Sequence, residues 1–229
     1  MKQGVAVIDQ DVCVECWVCY RNRVCPHDCF SPTPLTLCGD VLKHVLSDPT
    51  VTSKGTGVPG RGTEEAKTND VTGRYGKGVY GICIDMGRPG VGAYIRDVEK
   101  VAMAVAEAGV TFASPDETPL STVMSNLSTG KIREELLDVH ILSVIIEGTC
   151  EKGRLRSVLE ALLKVETEID TVFSLGIVLA LAEDGDDYLM STLDQVGIPQ
   201  PIRGKVNVGL GRPLFSSQGD RTVKKESVL

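Results

Sequence analysis

The sequence predicts an α+β protein: a small cysteine-bearing module joined to a two-layer sandwich of strands and helices. Three observations carry that prediction. Five of the eight cysteines fall between Cys13 and Cys29, two copies of a strand-helix-strand pattern follow Val79, and a polar, glycine-rich stretch separates the two regions. The expected organisation is a cysteine module over 1–38, a Gly/Thr-rich linker or docking loop over 39–78, an α+β domain over 79–215 and a polar tail over 216–229. A doubly wound α/β sheet with parallel strands is the alternative architecture.

Residues 31–78 are the least regular. Ser31-Pro32-Thr33-Pro34 ends the cysteine module, Asp40 to Leu46 suits a short turn of helix, and Asp48-Pro49 stops it. From Thr52 to Gly78 the chain is polar and almost free of aliphatic residues, and it is too long for an ordinary connection. Its backbone N–H groups, with Arg61, Lys67 and Arg74, can cradle an anion. The G-x4-G-K-[ST] pattern of a phosphate-binding loop is absent, and a linker or a docking arm is the competing reading.

Val79 to Met86 reads as a strand ending in Gly87-Arg88-Pro89-Gly90. Val98, Val101, Ala102, Val105 and Ala106 then lie at helical spacing, with Asp97 available as a cap and Gly109 as the stop. Val110 to Ser114 is the returning strand. Leu120, Val123, Met124 and Leu127 form a helical stripe after Pro119, and Ile132, Leu136 and Leu137 another.

The second copy starts at His140, with a strand to Glu147 and a turn over Gly148 to Gly153. Leu155, Val158, Leu159, Leu162 and Leu163 repeat the apolar stripe, and Thr171 to Leu179 is again a strand. Asp186 to Val196 suits a short helix and Lys205 to Leu210 a last strand. Two tandem βαβ units imply a ferredoxin-like split βαβ sandwich, with helices on one face of an antiparallel sheet. It resembles the small ligand-sensing ACT-type domains in outline only.

Cys13, Cys16 and Cys19 are spaced C-x2-C-x2-C, and Cys25 follows after five residues with Pro26 behind it. Thiolates so crowded call for a metal, and zinc favours two separated pairs over a triplet. The run resembles the ferredoxin-type C-x2-C-x2-C-x3-C-P motif, whose thiolates hold a cubane 4Fe-4S cluster. The flanks Val5 to Asp9 and Cys25 to Phe30 resemble the strands that enter and leave that module. The resemblance covers roughly the first 35 residues of the chain.

It implies one 4Fe-4S cluster held by Cys13, Cys16, Cys19 and Cys25. The gap before Cys25 is five residues instead of three, and no second triplet exists, so Cys38 and then Cys29 stand as alternative fourth thiols. A cluster on three ligands, with an open iron acting as Lewis acid, is a further reading. Trp17 and Tyr20 are expected to cover the sulfurs, and exposure tunes a cluster's reduction potential. His27 and His44 read as a solvated or a core histidine rather than as ligands.

A net charge of −7 argues against nucleic acid, whose binding depends on Lys and Arg neutralising phosphates. No stretch reaches the roughly 20 apolar residues of a membrane span, and Met1-Lys2-Gln3-Gly4 leads into a strand without an apolar signal segment, so a cytoplasmic protein is expected. Cys83 reads as packing in an apolar strand. Cys150 is placed in a turn near a helix start, where a thiol pKa can fall, but an inert thiol is the preferred reading. The repeated Gly-Arg-Pro, at Arg88 and Arg212, offers an anion site or carbonyl caps. Asp85 is the carboxylate with the most site-like placement, yet no acid-base, G-x-G-x-x-G or H-E-x-x-H constellation is present.

The expected function is therefore an electron-transfer subunit that docks on a larger catalytic or redox subunit and carries single electrons through one cluster. A homo-oligomer through the α+β domain is compatible with this. The alternative is a redox-sensing or ligand-binding regulatory protein with a structural cluster.

Overall fold

The computed structural model describes residues 7–32, 34–58, 73–180, 187–201 and 204. The cysteine region is loop, apart from one helical turn, α1 (Val18–Arg21). A ten-residue helix follows, α2 (Cys38–Ser47). The next elements are β1 (Val79–Met86), β2 (Ala93–Tyr94), α3 (Ile95–Ala108) and β3 (Thr111–Phe112). Then come α4 (Pro119–Val123), β4 (Met124–Asn126), β5 (Lys131–Ile132) and β6 (His140–Ile141). The chain continues with β7 (Val144–Glu151), α5 (Leu155–Val165), β8 (Phe173–Leu179) and α6 (Asp187–Val196).

The protein is of mixed α and β structure. Its main sheet has the order β3-β7-β1-β8, and every pairing in it is antiparallel. This excludes the doubly wound parallel alternative for the described sheet. It follows from the pairings that β1 and β3, linked through α3, run the same way with β7 between them. Likewise β7 and β8, linked through α5, run the same way with β1 between them.

Strand periodicity sends Tyr80, Ile82, Ile84 and Met86 to the face shared with α3 and α5. Cys83 lies on the opposite face in a small cluster with Tyr75 and Ile145. β1 is buried on both faces, which is why its sequence reads as an unbroken apolar run.

The α3 stripe is as expected: Val98, Val101, Ala102 and Val105 are fully buried, and Gly109 ends the helix at φ 108°. Asp97 is not the cap. It lies in the first turn, where it binds Lys100 Nζ at 2.8 Å and accepts the Asp170 N–H at 3.4 Å, tying α3 to the chain that enters β8. In α5, Leu155, Val158, Leu159 and Leu162 are buried but Leu163 is 37% exposed, one residue beyond the stripe's edge.

Three expectations need correction. The stripe from Leu120 to Leu127 is not one helix: α4 stops at Val123, and Met124 pairs with Ile132 in a β4–β5 hairpin. The Ile132 N–H is held by Glu99 Oε2 of α3 at 2.7 Å, so burial of the same side chains is met by a bent path. The expected turn over Gly148 to Gly153 is strand as far as Glu151, because β1 pairs continuously from Met86↔Val144 to Val79↔Glu151. Gly148 lets β3 approach: a Cβ there would lie 2.5 Å from the Thr111 carbonyl oxygen. Finally, residues 7–9 and 28–30 form no strand. The Val12 and Cys13 N–H groups instead turn back on Asp9 O at 3.3 and 2.9 Å.

Helix α2 begins at the proposed boundary and belongs to the core rather than to a linker, since Leu42 and Leu46 are each 1% exposed in the main cluster. Asp48-Pro49 ends it as expected. Arg61 and Lys67 of the glycine-rich stretch, the expected strand Lys205 to Leu210, Arg212 and the tail over 216–229 lie outside the described residues. Among the described residues no helix is long and apolar enough to cross a membrane.

Candidate metal centre

The loop that carries the cysteines is held in an unusual backbone state. The non-glycine residues with positive φ among those described are Glu15 (53°), Trp17 (52°), Arg23 (46°) and Asp28 (53°), all within this one loop. Each such residue costs about 1–2 kcal/mol and persists only where its surroundings impose it. Left-handed residues alternating with others turn successive backbone N–H groups toward one side, the arrangement that receives anions and iron-sulfur sulfurs. Glu15 and Trp17 flank Cys16 and so interleave the triplet.

Helix α2 packs against the first two of these residues. Glu15 is buried, and its carbonyl oxygen lies 2.8 Å from His44 Nδ1. A carbonyl only accepts, so Nδ1 carries the proton. The His44 ring packs on Trp17 with centroids 4.1 Å apart, and the indole Nε1–H donates to Glu15 Oε2 at 2.9 Å. Lys43 Nζ donates to Gln10 O at 3.0 Å, and Arg21 pairs with Asp48. On the far side, His140 Nδ1 reaches Val12 O at 3.3 Å.

Asp48 is 1% exposed. Burial by itself would raise its carboxyl, but the Thr50 hydroxyl and N–H, and then the Arg21 guanidinium, outweigh it and hold the pKa below the ordinary aspartate value. A depressed carboxylate contributes stability that is complete above its unfolded pKa and is lost as pH falls through the folded one. The pair is therefore expected intact at neutral pH and weakened below about pH 4. Asp48→Asn should cost about 2 kcal/mol at neutral pH. The gap in urea midpoint between variant and wild type should narrow as pH falls below the ordinary aspartate value, and a gap that is unchanged with pH would count against this assignment.

Cys13, Cys16, Cys19 and Cys25 are all free and half-buried, whereas Cys29 is exposed. Burial pushes the Cys13 thiol up, partly offset by the Glu15 backbone N–H. Cys25 is held below its ordinary value by the backbone N–H groups of Cys29 and of His27, and its hydrogen-bonded neighbour Cys29 is raised in turn. Among the described residues no three His, Cys, Asp or Glu side chains converge into a group that would hold a metal ion. In residue type and number the four half-buried thiols of this loop match what an iron-sulfur cluster takes, but among the described residues they are not drawn into one group.

The remaining candidates separate from this loop. Cys38 is the first residue of α2, packs against the main core and has Arg133 Nη2 at 3.7 Å from its sulfur. Cys83 is buried packing, as expected. Cys150 is not in a turn but in β7, 3% exposed, and burial pushes its thiol up to about 11, opposite to an activated cysteine. Arg88 donates to the carbonyls of Asp85 and Gly87 at 3.1 and 2.6 Å and to Ser174 Oγ at 2.6 Å, so it caps the exit of β1. Asp85 is buried in β1, opposite Ser174 of β8. His27 is exposed, and Tyr20 is 43% exposed.

His44 is buried, as its reading as a core histidine allowed; sequence reasoning missed its contacts to the loop, the Asp48–Arg21 pair and the role of Glu15. The available signal was His44 in the last turn of the expected helix, four residues before Asp48 at its stop. No protein-family model, curated protein or solved structure matches the chain.

Proposed function

We propose that Cys13, Cys16, Cys19 and Cys25 hold one 4Fe-4S cluster and that the protein is an electron-transfer subunit serving a larger catalytic or redox subunit in the cytoplasm. The observation that carries this reading is the C-x2-C-x2-C triplet interleaved by two left-handed residues, Glu15 and Trp17, in a loop clamped from the core. A cubane cluster, when bound, supplies a one-electron couple. The chain's own part is to hold the thiols, to direct backbone N–H groups at them and to limit water through Trp17. Seven of the twelve exposed large hydrophobic side chains among the described residues lie between 7 and 37, Val12, Val18 and Val24 among them. They lie in and beside the cysteine loop in sequence and suit docking of the redox partner.

Cys25 is favoured over Cys38 because it lies in the loop and faces N–H donors, whereas Cys38 packs on the core beside Arg133. Cys38→Ser should retain iron and Cys25→Ser should lose most of it, measured as iron per chain after anaerobic preparation. The reverse pattern would make Cys38 the fourth ligand. For the sandwich, the order β3-β7-β1-β8 supports a ferredoxin-like split βαβ arrangement.

The test is anaerobic preparation of the full chain followed by iron and sulfide analysis and a reductive titration followed by electron paramagnetic resonance. Reversible one-electron reduction supports electron transfer. The firm latch between loop and α2 also favours a second reading, a structural cluster in a redox-sensing or ligand-binding regulatory protein. That reading gains if the cluster cannot be cycled and its removal unfolds the chain.

A further inference from the structure

We propose that His44 is a positioning residue for Cys16: reaching out of the α+β core, it fixes the backbone on both sides of that ligand. This rests on the reading of the loop as a cluster site. The loop touches α2 through Lys43, His44 and Asp48, but two of these contacts end on Gln10 and Arg21, away from the triplet. His44 alone engages both neighbours of Cys16. Its Nδ1–H holds the Glu15 carbonyl at 2.8 Å while its ring supports Trp17 at 4.1 Å.

Those neighbours are two of the loop's left-handed residues, at φ 53° and 52°, and the Trp17–Glu15 side-chain bond of 2.9 Å closes the frame around Cys16. A buried donor to one carbonyl and a flat surface against one indole are two separable functions of a single imidazole. The hydrogen bond restrains the peptide before Cys16, and the ring restrains the residue after it. Second-shell groups of this kind orient ligands and tune the metal they hold.

Two variants separate the functions. His44→Phe keeps a flat ring and removes the donor, and His44→Asn keeps a donor in the Nδ1 position and removes the ring. The first readout is site-resolved alkylation of Cys16 by iodoacetamide in the full chain freed of metal and kept reduced, with buried Cys150 as reference. The second is the electron paramagnetic resonance signature and midpoint potential of the reduced, iron-loaded chain. In His44→Phe, Cys16 should react about fivefold faster, the equivalent of one lost hydrogen bond. The resonance signature should also change, and His44→Asn should return it toward wild type.

Wild-type alkylation and an unchanged signature in His44→Phe would overturn the assignment. So would equal changes in both variants that follow only a fall in the urea midpoint. A wild-type chain that takes up no iron would sink the electron-transfer reading instead, so the two failures are read apart.

Discussion

Cys16→Ser is expected to abolish cluster uptake while leaving the fold in place. A serine hydroxyl is a poor substitute for a thiolate on iron, and Cys16 is the middle thiol of the proposed set, so its loss leaves three of the four proposed ligands. Wild type prepared without oxygen should carry about four iron atoms per chain and a brown chromophore. The variant should be colourless or lose its iron on desalting. Its circular dichroism should match wild type, because α1 contributes no buried residue and the main core is formed without the cysteine loop. Full iron loading in Cys16→Ser would show that the triplet is not the ligand set.

Leu159→Ala should destabilise the protein by about 3 kcal/mol, whereas Leu163→Ala should stay within about 0.5 kcal/mol of wild type. Both leucines lie on the apolar side of α5 by sequence spacing. Leu159 is fully buried against the core beneath the sheet, and its truncation leaves a cavity that a close-packed interior only partly collapses. Leu163 is 37% exposed and loses much less contact. Urea unfolding of the two variants measures the difference. Equal costs, or the reverse order, would mean that α5 turns a different face to the sheet.

Much of the fold was legible because it follows from local periodicity. The 3.6-residue stripes of α3 and α5 and the apolar runs of β1 and β7 each find burial in one way, and Gly109 and Asp48-Pro49 are strong local stops. Reading failed where two local structures bury the same side chains. Leu120, Val123 and Met124 are buried equally well by a helix or by a helix running into a hairpin, and the Glu99 anchor on Ile132 decides between them from 33 residues away. Cys150 was misplaced for a similar reason: Gly148 suggests a turn, but here its missing side chain admits β3 beside an unbroken strand.

At the candidate site the division is similar. The sequence alone determined which thiols are available, since Cys13, Cys16, Cys19 and Cys25 and their spacing are covalent facts, and thiolate chemistry follows from residue type. Tertiary structure decided the sheet's strand order, the core role of α2, and the hold that His44 exerts on Glu15 across 29 residues of chain. The physical reason is the range of the forces involved. Periodicity and ligand spacing act within a few residues, whereas a hydrogen bond or ring contact between distant segments exists only once hydrophobic burial has brought them together.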